Sequence, residues 1–424
     1  MESKELLNGV TLHIIDAPKF KTNLISVFFN IPLKRETVTQ AALLPSVLKR
    51  GCEKYPTIKE MSKRLDDLYS ASFGAGIRPK GDGEVLFFTA DYISDKYISE
   101  KITRDIAEFI RDFIFSPLTE DGGFLKSYVE SEKTNLKNAI LSLVNDKKEY
   151  AEVKCREAMF GKSGYGMFEA GYIEDLDNIT PQSLYEFYKW VLENSKVDIF
   201  ISGSVDAEIV KEVEDTLAPL FTSRDADYIK SSVAVSSTTE IRKVTEPADT
   251  VQSKLCMGLC CNVEPTSKEY YALMLANCIF GGSPFSKLFN NVREKLSLAY
   301  YAVAKTSRFK SVMMISSGIQ TENYQKAYDE IMVQFNKMLN GEIEDSEIVS
   351  AKKYLTNSLN SINDSPRGME DYYLSGAIMG NNESVEDFLN GILAVTKSEI
   401  TDVWNKIKLD TVYFLKGNGE AENE

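Results

Sequence analysis

The chain contains a single histidine, His13, among 424 residues. A zinc site that needs two histidines, whether His-x-x-Glu-His or His-Glu-x-x-His, therefore cannot be assembled within it. A serine triad through His13 is formally open, but nothing in the surrounding sequence supports it. His13 lies between Leu12 and Ile14, where a satisfied structural histidine is the plainer reading. Cysteines are also few: Cys52, Cys155, Cys256, Cys260, Cys261 and Cys278, with no C-x-x-C pair. That excludes zinc ribbons and thioredoxin-like redox motifs, and their apolar settings suit small buried hydrophobes. Basic residues number 49 against 63 acidic ones, for a net charge of −14. Such a deficit argues against nucleic acid as the main partner, because phosphate binding needs a basic face. No run of about 18 apolar residues exists, and Met1-Glu2-Ser3-Lys4-Glu5 lacks the apolar segment of a signal peptide. The expectation is a cytoplasmic chain with no membrane span.

What remains is the composition of a folded protein with ample core, 43% hydrophobic and 26% charged. Its length predicts two or three domains. An internal repeat organises it. Leu143-Val144-Asn145-Asp146 matches Ser361-Ile362-Asn363-Asp364 at an offset of 361 − 143 = 218. The helix start Ile179-Thr180-Pro181 matches Val395-Thr396-Lys397 at 395 − 179 = 216. The strand Val197–Gly203 matches Thr411–Gly417 at 417 − 203 = 214. Three ordered matches at nearly one offset indicate a duplicated domain, since the period is too long for a solenoid. The predicted division is 1–222, a linker over 223–246, and 247–424. The linker is rich in Ser and Thr and is expected to be exposed.

Each half mixes strands and helices. Val10–Ile15 and Leu24–Ile31 read as strands, and Gly81-Asp82-Gly83 separates Phe73–Ile77 from Val85–Ala90 as a hairpin. Helical spacing runs over Tyr97–Phe115 and again from Leu125 to Leu143. The second half repeats the plan with strands at Leu255–Val263, Tyr300–Lys305 and Val312–Ser317. Helices follow over Tyr324–Leu339 and Glu347–Ile362. Strands in hairpin order with helices grouped between them predict an α+β sandwich, each domain a largely antiparallel sheet packed with helices. The two domains are expected to face each other across a cavity, the chain as a whole forming a half-clamshell.

The second half carries Phe280-Gly281-Gly282-Ser283, then Phe285–Leu296 as a helix, then Ser297-Leu298-Ala299-Tyr300. This stretch resembles the C-terminal domain of the pitrilysin/insulinase-type metallopeptidases, which has a Gly-rich turn and a helix ending in Arg-Glu-x-x-Gly-Leu-Ala-Tyr. Arg293, Glu294, Leu298, Ala299 and Tyr300 match, and Ser297 replaces the usual glycine. The duplicated architecture extends the resemblance to essentially the whole chain, including the family's processing-peptidase-like subunits. The family's signature His-x-x-Glu-His binds zinc, and its Glu activates the zinc-bound water. Aligned on Arg50-Gly51-Cys52, the signature falls on Ala42-Leu43-Leu44-Pro45-Ser46. Ala42 and Ser46 replace the histidines, and Pro45 replaces the base. Pro45 is expected to start or distort its helix. The segment Glu132-Lys133 to Ala139 places Ala139 at the third ligand.

The resemblance thus implies a non-catalytic subunit that holds no metal or other cofactor. A zinc-bearing homologue would be its partner, supplying zinc, ligands and base. This chain would contribute cavity wall, with Arg293 and Tyr300 as donors to a peptide carbonyl and its oxyanion. A structural role for both residues is the alternative, as is a non-proteolytic peptide-binding or scaffolding protein of the same fold. Gly281-Gly282 reads as a turn. Gly161-Lys162-Ser163 fails as a phosphate loop, because Arg156 stands where the first glycine is required. Glu420 to Glu424 read as a solvated tail.

Overall fold

The computed structural model describes residues 1–235 and 240–418, so the acidic tail lies outside the described residues. Contacts divide the chain into two compact units. One comprises Met1–Leu141, Phe168–Lys230 and Asn363–Ile378; the other comprises Ser142–Met167, Ser231–Ile362 and Met379–Glu424.

In the first unit, Glu2–Leu7 (β1), Val10–Asp16 (β2), Thr22–Pro32 (β3), Ser72–Lys80 (β4) and Gly83–Ile93 (β5) are strands. A two-residue pair, Thr119–Glu120 (β6) and Gly123–Phe124 (β7), stands apart, and Lys196–Gly203 (β8) returns to the sheet. Strand order is β1-β2-β8-β3-β5-β4. Every pairing is antiparallel except β2 with β8. Alternation decides the faces: Ile25, Val27, Phe29 and Ile31 of β3 enter one core with Phe109 and Phe113 of helix Thr103–Phe115. The β4–β5 turn is the predicted hairpin, tightened by Gly81 at φ +70°. The helix predicted from Tyr97 begins only at Thr103. The Asp95 carboxylate accepts from the Ile102 N–H and the Thr103 hydroxyl, which fixes the helix start there.

The second unit has Arg242–Pro247 (β9), Ser253–Cys260 (β10), Ala299–Ser307 (β11), Val312–Ile319 (β12) and Lys408–Lys416 (β13), ordered β11-β12-β10-β13-β9. Only β13 with β9 is parallel. The mixed α/β architecture with antiparallel-rich sheets is the one expected. The repeat is visible in the caps: Thr180 and Thr396 each close a capping box at a helix start, with Ser183 and Glu399. All six cysteines are buried free thiols.

Two features of organisation add to the predicted division. The segment predicted as an exposed linker is mostly exposed or half-buried over its described parts, with 236–239 outside the described residues. Tyr228 Oη donates to Asp198 at 2.6 Å, the Ile229 N–H donates to Asn30 Oδ1 at 2.9 Å, and residues from Arg242 enter the sheet as β9. Buried polar side chains of the first sheet, Asp198 and Asn30, supply these partners, which Ser/Thr composition does not reveal. Second, the compact units do not follow the halves of the chain. Helix Lys147–Phe160 belongs to the second unit and helix Pro366–Met379, almost entirely, to the first. Their starts differ by 366 − 147 = 219, close to the repeat offset, so the two halves exchange the same helix. Each exchanged helix is tied by a carboxylate with two hydroxyl donors. Tyr150 and Tyr413 donate to the two oxygens of Glu246 at 2.7 and 2.6 Å. Ser26 and Ser202 donate to the two oxygens of Glu370, both at 2.6 Å.

Candidate functional site

In the first unit the degenerate signature sits on helix Val38–Lys49. The helix begins seven residues before Pro45 and runs through it, so of the two expected effects, a start or a distortion, the start is excluded. Pro45 removes one backbone donor, and burial of Leu43, Leu44, Val47 and Leu48 in the core holds the helix nonetheless. Ala42 is half-buried, Pro45 is buried, and Ser46 and Ala139 are exposed. None of the four offers an imidazole or carboxylate, and a lone serine hydroxyl is no substitute for two histidines and a glutamate. The residues present do not fit a zinc ion. Among the described residues no group of three His, Cys, Asp or Glu side chains converges to hold a metal elsewhere. Glu132, the acidic residue left on helix Lys126–Ser142, is buried and committed. It accepts from Arg50 at 3.2 Å and from Asn135 at 3.1 Å.

In the second unit the structure brings Arg293 and Tyr300 together. The helix expected over Phe285–Leu296 is shorter and wound wide, with a π-type turn over Phe289–Lys295. Leu288 and Val292 are fully buried as the apolar stripe requires, whereas Leu296 is 45% exposed and lies past the helix end. Arg293 points away from the buried stripe. Its guanidinium lies 4.8 Å from the centre of the Phe289 ring, and its Nε is 3.5 Å from the exposed Glu294 carboxylate. The chain then turns back through Ser297, which adopts φ +49°. Glycine takes this left-handed conformation freely, and serine holds it at some cost.

Tyr300 follows on β11. Ala299 pairs with Ile319 and Tyr301 with Gly318, so Tyr300 is the extra residue of a β-bulge. The bulge aims the ring outward, and Tyr300 is 53% exposed. Both residues line a cavity of about 370 Å³, with Glu294, Ser297, Gln320 and Asn323. An acceptor bound there meets a planar fork of N–H donors and a phenolic O–H from one side. Sequence reasoning found Arg293 and Tyr300 but neither the bulge nor the wide turn, and the serine in a glycine position was the one signal of the strained turn. Ser297→Gly is expected to stabilise the chain by about 0.5–1 kcal/mol. It relieves a left-handed residue worth roughly 1–2 kcal/mol and returns part of that as unfolded-state freedom. Urea unfolding checks it, and an unchanged or lower midpoint would mean the serine is unstrained.

Comparison with known proteins gives the family. The model of the Peptidase M16 inactive domain matches residues 178–355. The probable inactive metalloprotease YmfF of Bacillus subtilis (strain 168) is 34% identical over 424 residues, covering 99% of both chains. An uncharacterized zinc protease of the same strain, YmxG, is 23% identical over 75% of this chain and 76% of its own. A crystal structure of a conserved protein from Enterococcus faecalis V583 superposes with a TM-score of 0.89 at 31% identity, over 99% of each chain. The chain belongs to the M16 family, the pitrilysin/insulinase-type metallopeptidases, as a member without the zinc-binding signature.

Proposed function

We propose that this chain is the non-catalytic subunit of a two-chain M16 peptidase. A zinc-bearing homologue supplies the metal, its ligands and the general base. This chain supplies part of the peptide-binding surface, with Arg293 and Tyr300 as donors. The observation that carries this reading is the contrast between the two motifs. The metal positions Ala42, Pro45, Ser46 and Ala139 have no donor set. Arg293 and Tyr300, by contrast, stand exposed on one cavity, neither spent on the core. A strain that carries a relative called inactive also carries one called a zinc protease, which is consistent with division of labour between two chains.

The test is co-expression with the zinc-bearing homologue of the same organism, followed by sizing chromatography, metal analysis and a peptidase assay. The chain alone is expected to hold no stoichiometric zinc and to cleave nothing. The mixture is expected to elute as a one-to-one complex with one zinc and with activity above that of the homologue alone. Separate elution with no gain of activity would sink the pairing and favour a non-proteolytic peptide-binding role. One tightly held zinc in the isolated chain, lost on altering Ala42, Ser46 and Ala139, would sink the reading of the first unit.

A further inference from the structure

The one histidine is part of a hydrogen-bonded relay that the proposed role leaves unused. Ser3 on β1 and His13 on β2 are directly paired across the strands. Ser3 Oγ lies 2.8 Å from His13 Nδ1, and His13 Nε2 lies 2.9 Å from Asp198 Oδ1 on β8. His13 is 3% exposed, Asp198 is fully buried, and Ser3 is at the surface. Phe200 stacks on the imidazole at 4.4 Å and fixes its plane. Tyr228 gives its phenolic proton to the same Asp198 oxygen at 2.6 Å. The carboxylate can only accept, so Nε2–H donates to it, and in the neutral ring Nδ1 presents a lone pair. Ser3 Oγ donates to that lone pair. The order is an exposed hydroxyl, a base, and a buried carboxylate that orients the base, which is the arrangement that activates a serine nucleophile on unrelated folds.

We propose that Ser3 is an activated nucleophile and a site of covalent acylation or phosphonylation. In the acyl case Ser3 Oγ attacks the ester carbonyl carbon while its proton passes to His13 Nδ1. The tetrahedral adduct then collapses by breaking the bond to the leaving oxygen, which takes that proton from His13 and departs as the alcohol. Asp198 stabilises the transient imidazolium without accepting its proton. A phosphonofluoridate reacts in the same way at phosphorus, fluoride leaving with the proton. The surroundings set the substrate class. β1 is the edge of its sheet, so Ser3 opens to solvent. The electrophiles that fit an open edge are small, unhindered and carry good leaving groups, such as aryl acetates.

The test uses the full chain and a fluorophosphonate probe, with intact mass and peptide mapping as readouts. A positioned general base contributes about 10²–10⁴-fold. Ser3 is therefore expected to be labelled at least about 10²-fold faster than any other exposed serine, and Ser3→Ala to abolish the fast phase. Asp198→Asn, which keeps the shape but removes the negative charge that stabilises the imidazolium, is expected to slow labelling by a similar factor. Because Asp198 is buried and that variant can misfold, Ser3→Cys provides a second measurement at an exposed position. The native thiols are all buried. The new thiol is expected to react with iodoacetamide near pH 7 at least tenfold faster than a cysteine placed at the exposed Ser346. Labelling of Ser3 at the rate of other serines, or a Ser3→Cys thiol no faster than its control, would overturn the proposal.

Discussion

Tyr300→Phe is expected to lower turnover by the assembled pair about 10²–10³-fold while leaving the melting temperature of this chain within a degree or two. The kinetic figure follows from the loss of one donor to a developing oxyanion, worth ~2.7–4 kcal/mol in the transition state. The stability figure follows from the structure. Tyr300 is the outward residue of a bulge and is 53% exposed, so losing its hydroxyl disturbs neither the ladder nor the core. Arg293→Lys is expected to act in the same direction. Lysine keeps the positive charge but gives up the planar fork and the stacking on Phe289. Both variants should still co-elute with the zinc-bearing homologue, and the fall should appear in kcat as well as kcat/KM, since the interaction strengthens in the transition state. Activity within about twofold of the unaltered complex, or a collapse of stability, would return both residues to a structural role.

How much of this was legible in the residues depends on the range of the interaction. The strands β3 and β5 announce themselves as short apolar runs, and Thr180 and Thr396 by caps that act within one helical turn. The repeat was legible because it compares the chain with itself. Which sheet a helix packs against was not. The apolar side of Lys147–Phe160 or of Pro366–Met379 specifies that something covers it and is silent on what, so the exchange of these helices has no local signal. The wide turn at Phe289–Lys295 and the bulge at Tyr300 are likewise long-range compromises. They fit a helix and a strand to neighbours already fixed, and they set the aim of Arg293 and Tyr300. Pro45 is the complementary case. Its local penalty argues for a helix start or a distortion, and the core around Leu43 to Leu48 carries the helix through it.

The exchanged helix of the first unit carries the largest expected effect on stability. Glu370 is 2% exposed, and burial pushes its carboxyl up to about 7 from an ordinary 4.5. The hydroxyls of Ser202 and Ser26, with Arg367 and Arg78, offset part of that. Asp371 on the same helix is neutralised separately by Lys80 at 2.8 Å and Arg78 at 3.3 Å. The folded chain therefore holds a proton that the unfolded chain releases. Below about pH 4.5 both states are protonated and Glu370 costs nothing. As pH rises from about 4.5 to about 7 the unfolded state gains by ionising, so stability falls through this window and stays lower above it. The gap corresponds to about 3 kcal/mol at 1.36 kcal/mol per pH unit. Glu370→Gln cannot ionise, and its amide can accept from one serine hydroxyl and donate to the other. It is expected to match the unaltered chain near pH 4.5 and to be more stable by up to about 3 kcal/mol at pH 8, read as the difference in urea midpoints. Glu370→Ala leaves Ser26 and Ser202 without their carboxylate and is expected to lose stability by about 1–3 kcal/mol at acid pH, where the glutamate is at its best. Parallel pH profiles for the glutamine variant and the unaltered chain would mean that Glu370 does not titrate in this range. The exchanged helix would then be held by a permanently ionised carboxylate.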